Sequence, residues 1–235
     1  WPHLHHRLLH LCRGGFCPVP AVLSGIVRAA GGCGFCNKID KNSLCENCEL
    51  KLAKYRINCI KDYTKDNKKY FDYLYSALKY ENEVREKIIK YKFNENSYLY
   101  KTFAKIIIKD KKVYGFLKLY DIIIPVPMNK LKKSVRGYNQ SELVANEIAK
   151  QMELPFEKTV LIKTKNTKVQ STLTKTQRIE NVKNAFFVTD TTKVKYKKVI
   201  LIDDIYTTGC TVNECSKVLK QAGAQEICVV TIAKD

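Results

Sequence analysis

No stretch of this chain approaches the roughly 18 apolar residues that a membrane span requires. Apolar runs such as Ile106-Ile107-Ile108 and Val199-Ile200-Leu201-Ile202 are far shorter. A spanning helix is therefore excluded. No internal repeat or low-complexity tract appears, so solenoid and array architectures drop out as well. Acidic residues are in the minority, 23 against 42 basic, for a net charge of +19. The charge does not make the chain disordered, because 45% of it is apolar. At 235 residues it is also too long for a disulfide-stapled mini-scaffold. What remains is one α/β domain with a small appendage, or two modest domains.

The positive excess is spread along the chain: +3 over residues 1–32, +9 over 33–119 and +7 over 120–235. Lysine supplies 35 of the 42 cations, with 15 asparagines alongside. That distribution favours a solvated basic surface over a dedicated phosphate stripe, although it lowers the barrier to binding polyanions. Residues 1–32 differ from the rest. They lack Lys, Asn, Asp, Glu and Tyr, yet hold all four histidines, His3, His5, His6 and His10. We read them as an atypical or foreign segment. Its apolar run Ala21–Val27 resembles a short signal-peptide core, but fits better as a lead into the cysteine-rich segment that begins at Cys33.

Ten cysteines raise the question of redox compartment. Cys33-Gly-Phe-Cys36 and Cys45-Glu-Asn-Cys48 answer it. Two C-x-x-C pairs eight residues apart suit a tetrahedral zinc site, each pair offering two thiolates from one tight turn. A redox pair or a disulfide is the competing reading, and the tandem arrangement favours zinc. Cys215 and Cys228 sit in apolar periodic positions as small core residues. Many unpaired thiols imply a reducing, cytoplasmic location.

Three segments succeed one another along the chain: 1–32, a zinc module at 33–60, and an α/β domain at 61–235. In the module a helix is expected over 46–54, with Leu50 and Ala53 inward. Residues 71–80 alternate as a strand or hairpin arm. Val84, Ile88 and Tyr91, then Tyr100, Phe103, Ala104 and Ile107, recur at helical spacing. From Tyr120 onward strands and helices alternate. Strands are expected at 121–127, 160–162, 186–188, 199–203 and 227–232, with helices at 139–152, 176–183 and 211–222. In the 139–152 helix Leu143, Val144, Ile148 and Met152 share one face. Alternating β and α with continuous apolar strands predicts a parallel sheet covered on both faces.

The most informative segment is Val199-Ile-Leu-Ile-Asp-Asp-Ile-Tyr-Thr-Thr-Gly-Cys-Thr211. An apolar strand runs into two adjacent carboxylates, then a hydroxyl-rich turn, then a helix. Thr211-Val-Asn-Glu214 reads as a capping box that sets the helix start, and Gly223 closes the helix. Backbone N–H groups of 207–211 and three threonine hydroxyls would meet at a positive dipole end, where a phosphate monoester binds. Asp203 and Asp204, acceptors only, suit the vicinal diol of a ribose. The segment is neither a Walker A loop nor a G-x-G-x-x-G fingerprint. Further upstream, Lys132, Lys133, Arg136 and Gly137 offer charge and close backbone approach to a pyrophosphate.

These thirteen residues resemble the phosphoribosyl pyrophosphate signature of type I phosphoribosyltransferases. Pro125-Val-Pro127 with Arg136-Gly-Tyr-Asn-Gln140 resembles a block of the ComF family. Gln170-x-x-Leu173, Arg178-x-x-Asn181-Val182 and Ala185-Phe186 resemble another, and the tandem C-x-x-C completes the set. The resemblance covers residues 33–235. It implies a sheet of the type I phosphoribosyltransferase kind flanked by helices, with an N-terminal zinc-binding module. By it, Asp203 and Asp204 would be catalytic and hold the ribose hydroxyls. Tyr206, Thr207, Thr208, Gly209, Cys210 and Thr211 would hold the 5-phosphate, while Arg136 and Gly137 would face pyrophosphate. Gln170, Arg178 and Asn181 would belong to a mobile loop closing over the reacting centre. Where the family often has arginine, this chain has Lys163, Thr164 and Lys165.

The activity so implied is a glycosyl (pentosyl) transfer from phosphoribosyl pyrophosphate with Mg²⁺, in the wider field of nucleoside metabolism. Purine-salvage members carry an acid where this chain has Thr207, which disfavours a 6-oxopurine acceptor. The family is linked to natural competence, the uptake and processing of transforming DNA. The alternative is a non-catalytic competence factor that binds single-stranded DNA or a DNA-processing protein and takes phosphoribosyl pyrophosphate only as a ligand. A homo-oligomer is compatible with either.

Overall fold

The computed structural model describes residues 32–57, 59–93, 96–165 and 174–235. The expectations for the histidine cluster, for Ala21–Val27 and for Gln170 lie outside them. After the first C-x-x-C turn come α1 (Glu46–Leu52), capped by Cys45 and containing Cys48, a 3₁₀ turn (Ala53–Tyr55) and strands β1 (Ile60–Asp62) and β2 (Tyr73–Lys79). Helices α2 (Asn82–Lys92), α3 (Leu99–Ile108) and α4 (Lys111–Leu117) come next. Then come β3 (Ile122–Pro125), α5 (Lys130–Arg136), α6 (Gln140–Met152), β4 (Leu161–Lys163), α7 (Lys175–Val182) and β5 (Phe186–Val188). The chain ends with β6 (Lys198–Tyr206), α8 (Cys210–Gln221) and β7 (Glu226–Lys234).

The main sheet has the order β1-β2-β7-β6-β3. Strands β2, β7, β6 and β3 run parallel, and β1 pairs antiparallel at one edge. Successive residues of β6 feed opposite cores: Ile200 and Ile202 pack with α2, α3 and α6, while Val199 and Leu201 pack with α8. This two-sided burial explains why the strand reads as an unbroken apolar run. One polar contact crosses the sheet interior, Ser76 Oγ to Thr231 Oγ1 at 2.8 Å.

The structure corrects several expectations. β4 and β5 do not join the parallel sheet; they form a separate antiparallel ribbon. Each buries only one face, leaving Ile162 and Phe187 exposed as directly opposed partners. Leu50 is 75% exposed and Ala53 is exposed too, because α1 buries Cys48 and Leu52 instead. Turning the sulfur of Cys48 inward fixes the rotation of this short helix. Leu143 is only half-buried, its neighbours Val144, Ile148 and Met152 taking the core face of α6. Cys215 and Cys228 are fully buried, as their positions implied.

The cysteine module belongs to the same hydrophobic cluster as α2 and α3. Cys33, Leu44, Cys48, Leu52 and Tyr55 pack there with Leu99 and Phe103. Thr102 Oγ1 donates to the Ser43 carbonyl at 2.8 Å, and Arg56 Nη1 donates to the Ile106 carbonyl at 2.6 Å. Gly34 lies so close to α3 that a Cβ there would stand 2.4 Å from Thr102 Oγ1.

Candidate active site

β3 and β6 are adjacent and parallel, but the helices that come after them lie on opposite faces. α6 packs through Val144 and Ile148 into one core, and α8 through Val212, Cys215 and Leu219 into the other. Between two such strands a crevice opens at their carboxyl ends. It holds a cavity of about 480 Å³ lined by Asp203 through Val212, and by Lys132, Arg136 and Lys163.

β6 stays in the sheet through Tyr206, so the two acids lie within the strand rather than after it. Asp203 Oδ1 accepts from Ser141 Oγ at 3.1 Å and from the Asp204 amide at 2.9 Å. Asp204 Oδ1 accepts from the Ile205 amide at 2.7 Å, and its Oδ2 pairs with Lys92 Nζ at 3.0 Å. Burial, and then the neighbouring charge of Asp204, push the Asp203 carboxyl up to about 7.

The turn after β6 depends on Gly209. Its φ is +74°, and a Cβ there would lie 2.5 Å from the Tyr206 hydroxyl. The Tyr206 ring, 7% exposed, packs edge-on against Phe71 at 6.4 Å. It therefore forms the floor of the turn. The expected capping box is absent: the N-cap is Gly209, without a side-chain cap, and α8 starts at Cys210. Glu214 accepts instead from the Asn184 amide at 2.9 Å. The glycine cap brings no capping side chain, and the first residues of α8, Cys210, Thr211 and Val212, line the cavity. Thr208 Oγ1 donates to Cys210 Sγ at 3.0 Å. Gly223, with φ +93°, ends α8 in a Schellman turn, Ala224 N–H to Leu219 O and Gly223 N–H to Lys220 O.

Across the crevice, Asn129 caps α5 and Asn139 caps α6. Asn139 Nδ2 also donates to the Val126 carbonyl at 3.0 Å, tying the end of β3 to the start of α6. The loop expected after Pro127 contains the helical turn α5, ended by Gly137. Of its cations, Lys132 and Arg136 line the cavity, whereas Lys133 turns away to Glu142 at 2.8 Å. Burial, and then the charge of Arg136, lower Lys132; burial, and then Lys132, lower Lys163. Asn181 lies in α7, as does the backbone of Arg178.

Sequence reasoning missed Lys92 and Ser141. Ser141 directly adjoins the Arg136–Gln140 block, and its place at the first turn of α6 was a usable signal. Lys92 carried none, being one lysine among 35 and 112 residues from its partner.

At the other end of the chain, the four sulfurs of Cys33, Cys36, Cys45 and Cys48 all lie within 4.8 Å of one another. These cysteines are positioned to bind a metal ion. Cys36 and Cys45 are 3.7 Å apart. A tetrahedron with metal–sulfur bonds of about 2.3 Å has an edge of about 3.8 Å. Burial alone would raise the Cys33 thiol, but amide hydrogen bonds from residues 45, 36 and 35 bring it down to about 7. No helix among the described residues is long and apolar enough to cross a membrane.

Residues 139–235 match the model of the phosphoribosyl transferase domain. Together with the mostly parallel sheet and its helices, this makes the fold that of a type I phosphoribosyltransferase, with a four-cysteine cluster toward its N-terminal side. The chain is 31% identical over 216 residues to Competence protein F of Haemophilus influenzae, covering 83% of this chain and 92% of that protein. It belongs to the competence protein F (ComF) family. It is also 26% identical over 195 residues to Competence protein ComFC of Streptococcus pneumoniae, covering 83% of this chain and 77% of the other. With DNA utilization protein YhgH of Escherichia coli K12 it shares 25% over 203 residues, 84% of this chain and 87% of the other.

Proposed function

We propose that this protein binds phosphoribosyl pyrophosphate with Mg²⁺ and transfers the phosphoribosyl group to an acceptor nucleophile. The observation that carries this is the adjacency of Asp203 and Asp204 to a glycine-capped helix start inside one cavity. The 5-phosphate takes the amides and hydroxyls of residues 207–211, and the ribose hydroxyls take the two carboxylates. Lys132 and Arg136 meet the pyrophosphate. All-oxygen donors such as Asp203 and Asp204 fit a hard cation. When bound, Mg²⁺ would supply charge neutralisation to the departing pyrophosphate. The bond between ribose C1 and the pyrophosphate oxygen breaks, and its electron pair leaves with pyrophosphate. The acceptor's lone pair forms the new bond to C1 and its proton passes to solvent. Arg178 and Asn181, with Gln170, are assigned to the segment that excludes water.

The four cysteines fit zinc in a structural role, since their sulfur-only donor set is closed and all four sulfurs lie within 4.8 Å of one another. Relatives named for competence and DNA utilization support a role in handling DNA; we further propose single-stranded DNA or a DNA-processing protein as partner, and a cytoplasmic location on the strength of the unpaired thiols. Calorimetry with phosphoribosyl pyrophosphate and Mg²⁺ tests the reading. Asp204→Ala removes a charge-assisted set of hydrogen bonds, worth about 1.5–3 kcal/mol, or roughly 10–150-fold in affinity. Lys197→Ala, at an exposed residue, should change affinity less than about threefold. Equal affinities for all three proteins would refute the assignment. Binding without pyrophosphate release for any acceptor tried would favour the ligand-only alternative.

A further inference from the structure

The cavity has one wall that the phosphoribosyl reading leaves unused. The turn of residues 207–211 accounts for one side and α5 for another. Val126, Pro127 and Met128 after β3 line a third, and the β2–α2 segment contributes Tyr80, Arg85 and Lys92, with Asp235 at the end of β7 beside Tyr80. A pocket for a neutral heterocycle would present an apolar shelf with a few hydrogen-bonding groups. The β2–α2 wall presents two cations and one tyrosine, against the single carboxylate of Asp235 at its edge.

Lys92 is held in place from several directions. Its carbonyl accepts from Gln140 Nε2 at 3.2 Å. Tyr91 Oη donates to the Gln140 carbonyl at 2.8 Å, and Tyr138 Oη donates to the Tyr91 carbonyl. Arg136 stacks over Phe93 at 5.7 Å. The end of α2 is thus fastened to the block 136–140 that shapes the pyrophosphate side. The Lys92 ammonium points into the cavity and meets Asp204 at 3.0 Å, with side-chain exposures of only 23% and 18%.

That pairing has a consequence for substrate binding. Asp204 is one of the two carboxylates assigned to the ribose hydroxyls, so an arriving ribose competes with Lys92 for it. A largely buried ammonium left unpaired is unfavourable, and an incoming anion relieves it. Resting on the phosphoribosyl pyrophosphate reading above, we propose that the acceptor carries an anionic group, a carboxylate or a phosphate, which docks on Lys92 and Arg85. Because Asp204 holds Lys92 until the ribose arrives, the anion should bind the phosphoribosyl pyrophosphate complex more tightly than the free protein.

Calorimetry with simple probes tests this on the full chain. Benzoate and phenyl phosphate represent the two anionic classes, and benzamide is the neutral comparison. Each is titrated into the protein alone and into the protein saturated with Mg²⁺ and phosphoribosyl pyrophosphate. At least one anion should bind the saturated protein tenfold or more tightly than the free protein, with benzamide showing no such gain. The tighter anion identifies the class. Lys92→Gln and Arg85→Gln should each weaken that anion tenfold or more, a larger loss than for phosphoribosyl pyrophosphate itself. Lys92→Arg should retain it, which separates lost charge from misfolding. Benzamide matching the anions, anions binding equally without phosphoribosyl pyrophosphate, or an unaffected Lys92→Gln variant would each overturn the proposal. If Lys92→Gln weakens phosphoribosyl pyrophosphate more than the anion, Lys92 belongs to the pyrophosphate and the proposal falls alone. No binding of phosphoribosyl pyrophosphate to the wild type would instead overturn both readings.

Discussion

Replacing Gly209 by alanine separates two costs that glycine avoids in this turn. The first is the left-handed backbone, φ +74°, which costs a residue with a Cβ about 1–2 kcal/mol. The second is steric. The new methyl would sit 2.5 Å from the Tyr206 hydroxyl and 2.7 and 2.8 Å from two of its ring carbons. That ring is backed by Phe71 and cannot retreat cheaply. Overpacking of this kind costs about 1–3 kcal/mol. The sum, about 2–5 kcal/mol, corresponds to a fall in Tm of about 4–20 °C for a chain of this size. Gly223→Ala is the matched control. Its φ is +93°, but the nearest atom is Lys195 Cγ at 3.0 Å, on a flexible side chain. Only the backbone cost of about 1–2 kcal/mol should appear there, a fall of about 2–8 °C. Differential scanning calorimetry of both variants in reducing buffer reads the difference directly. Equal falls, or a larger one for Gly223→Ala, would refute the idea that Tyr206 forms the floor of the turn.

Three further outcomes are expected. Cys45→Ser/Cys48→Ser should abolish metal retention through purification under reducing conditions, and should lower Tm because Cys48 lies in the main core; elemental analysis and a thermal melt check both. The raised Asp203 carboxyl makes the native state hold a proton that the unfolded chain releases above about pH 4. Its stabilising contribution is therefore complete below about pH 4 and is lost as pH rises through about 7. The Tm of wild type relative to Asp203→Asn should fall across that window, and a rise would contradict the assigned burial. Thr231→Val should cost about 1–3 kcal/mol by leaving Ser76 Oγ without its buried partner. Adding Ser76→Ala should recover part of that in urea unfolding, and an unchanged double variant would show that the contact does not matter.

The unbroken apolar run of β6, its two acids, the glycine after them and the tandem cysteine pairs are local features, so the sequence alone determined the parallel strands, the acidic strand end with its turn and the four-cysteine cluster. Each depends on side chains near one another in the chain, and on periods that a strand or a helix imposes on them. Sequence also located α6 and α8 to within a residue or two. It erred where tertiary packing chooses between locally equivalent options. α1 rotates to bury Cys48 rather than Leu50, because the cysteines must converge. β4 and β5 pair with each other rather than joining the sheet. Glu214 serves Asn184 rather than a capping box. Lys92 could be found only in three dimensions: the fold brings the end of α2 to the mouth of β6, and no local pattern marks which lysine will make that contact. The motifs marked most of the side chains that line the crevice, whereas the packing of α2 against residues 136–140 decided what else faces it.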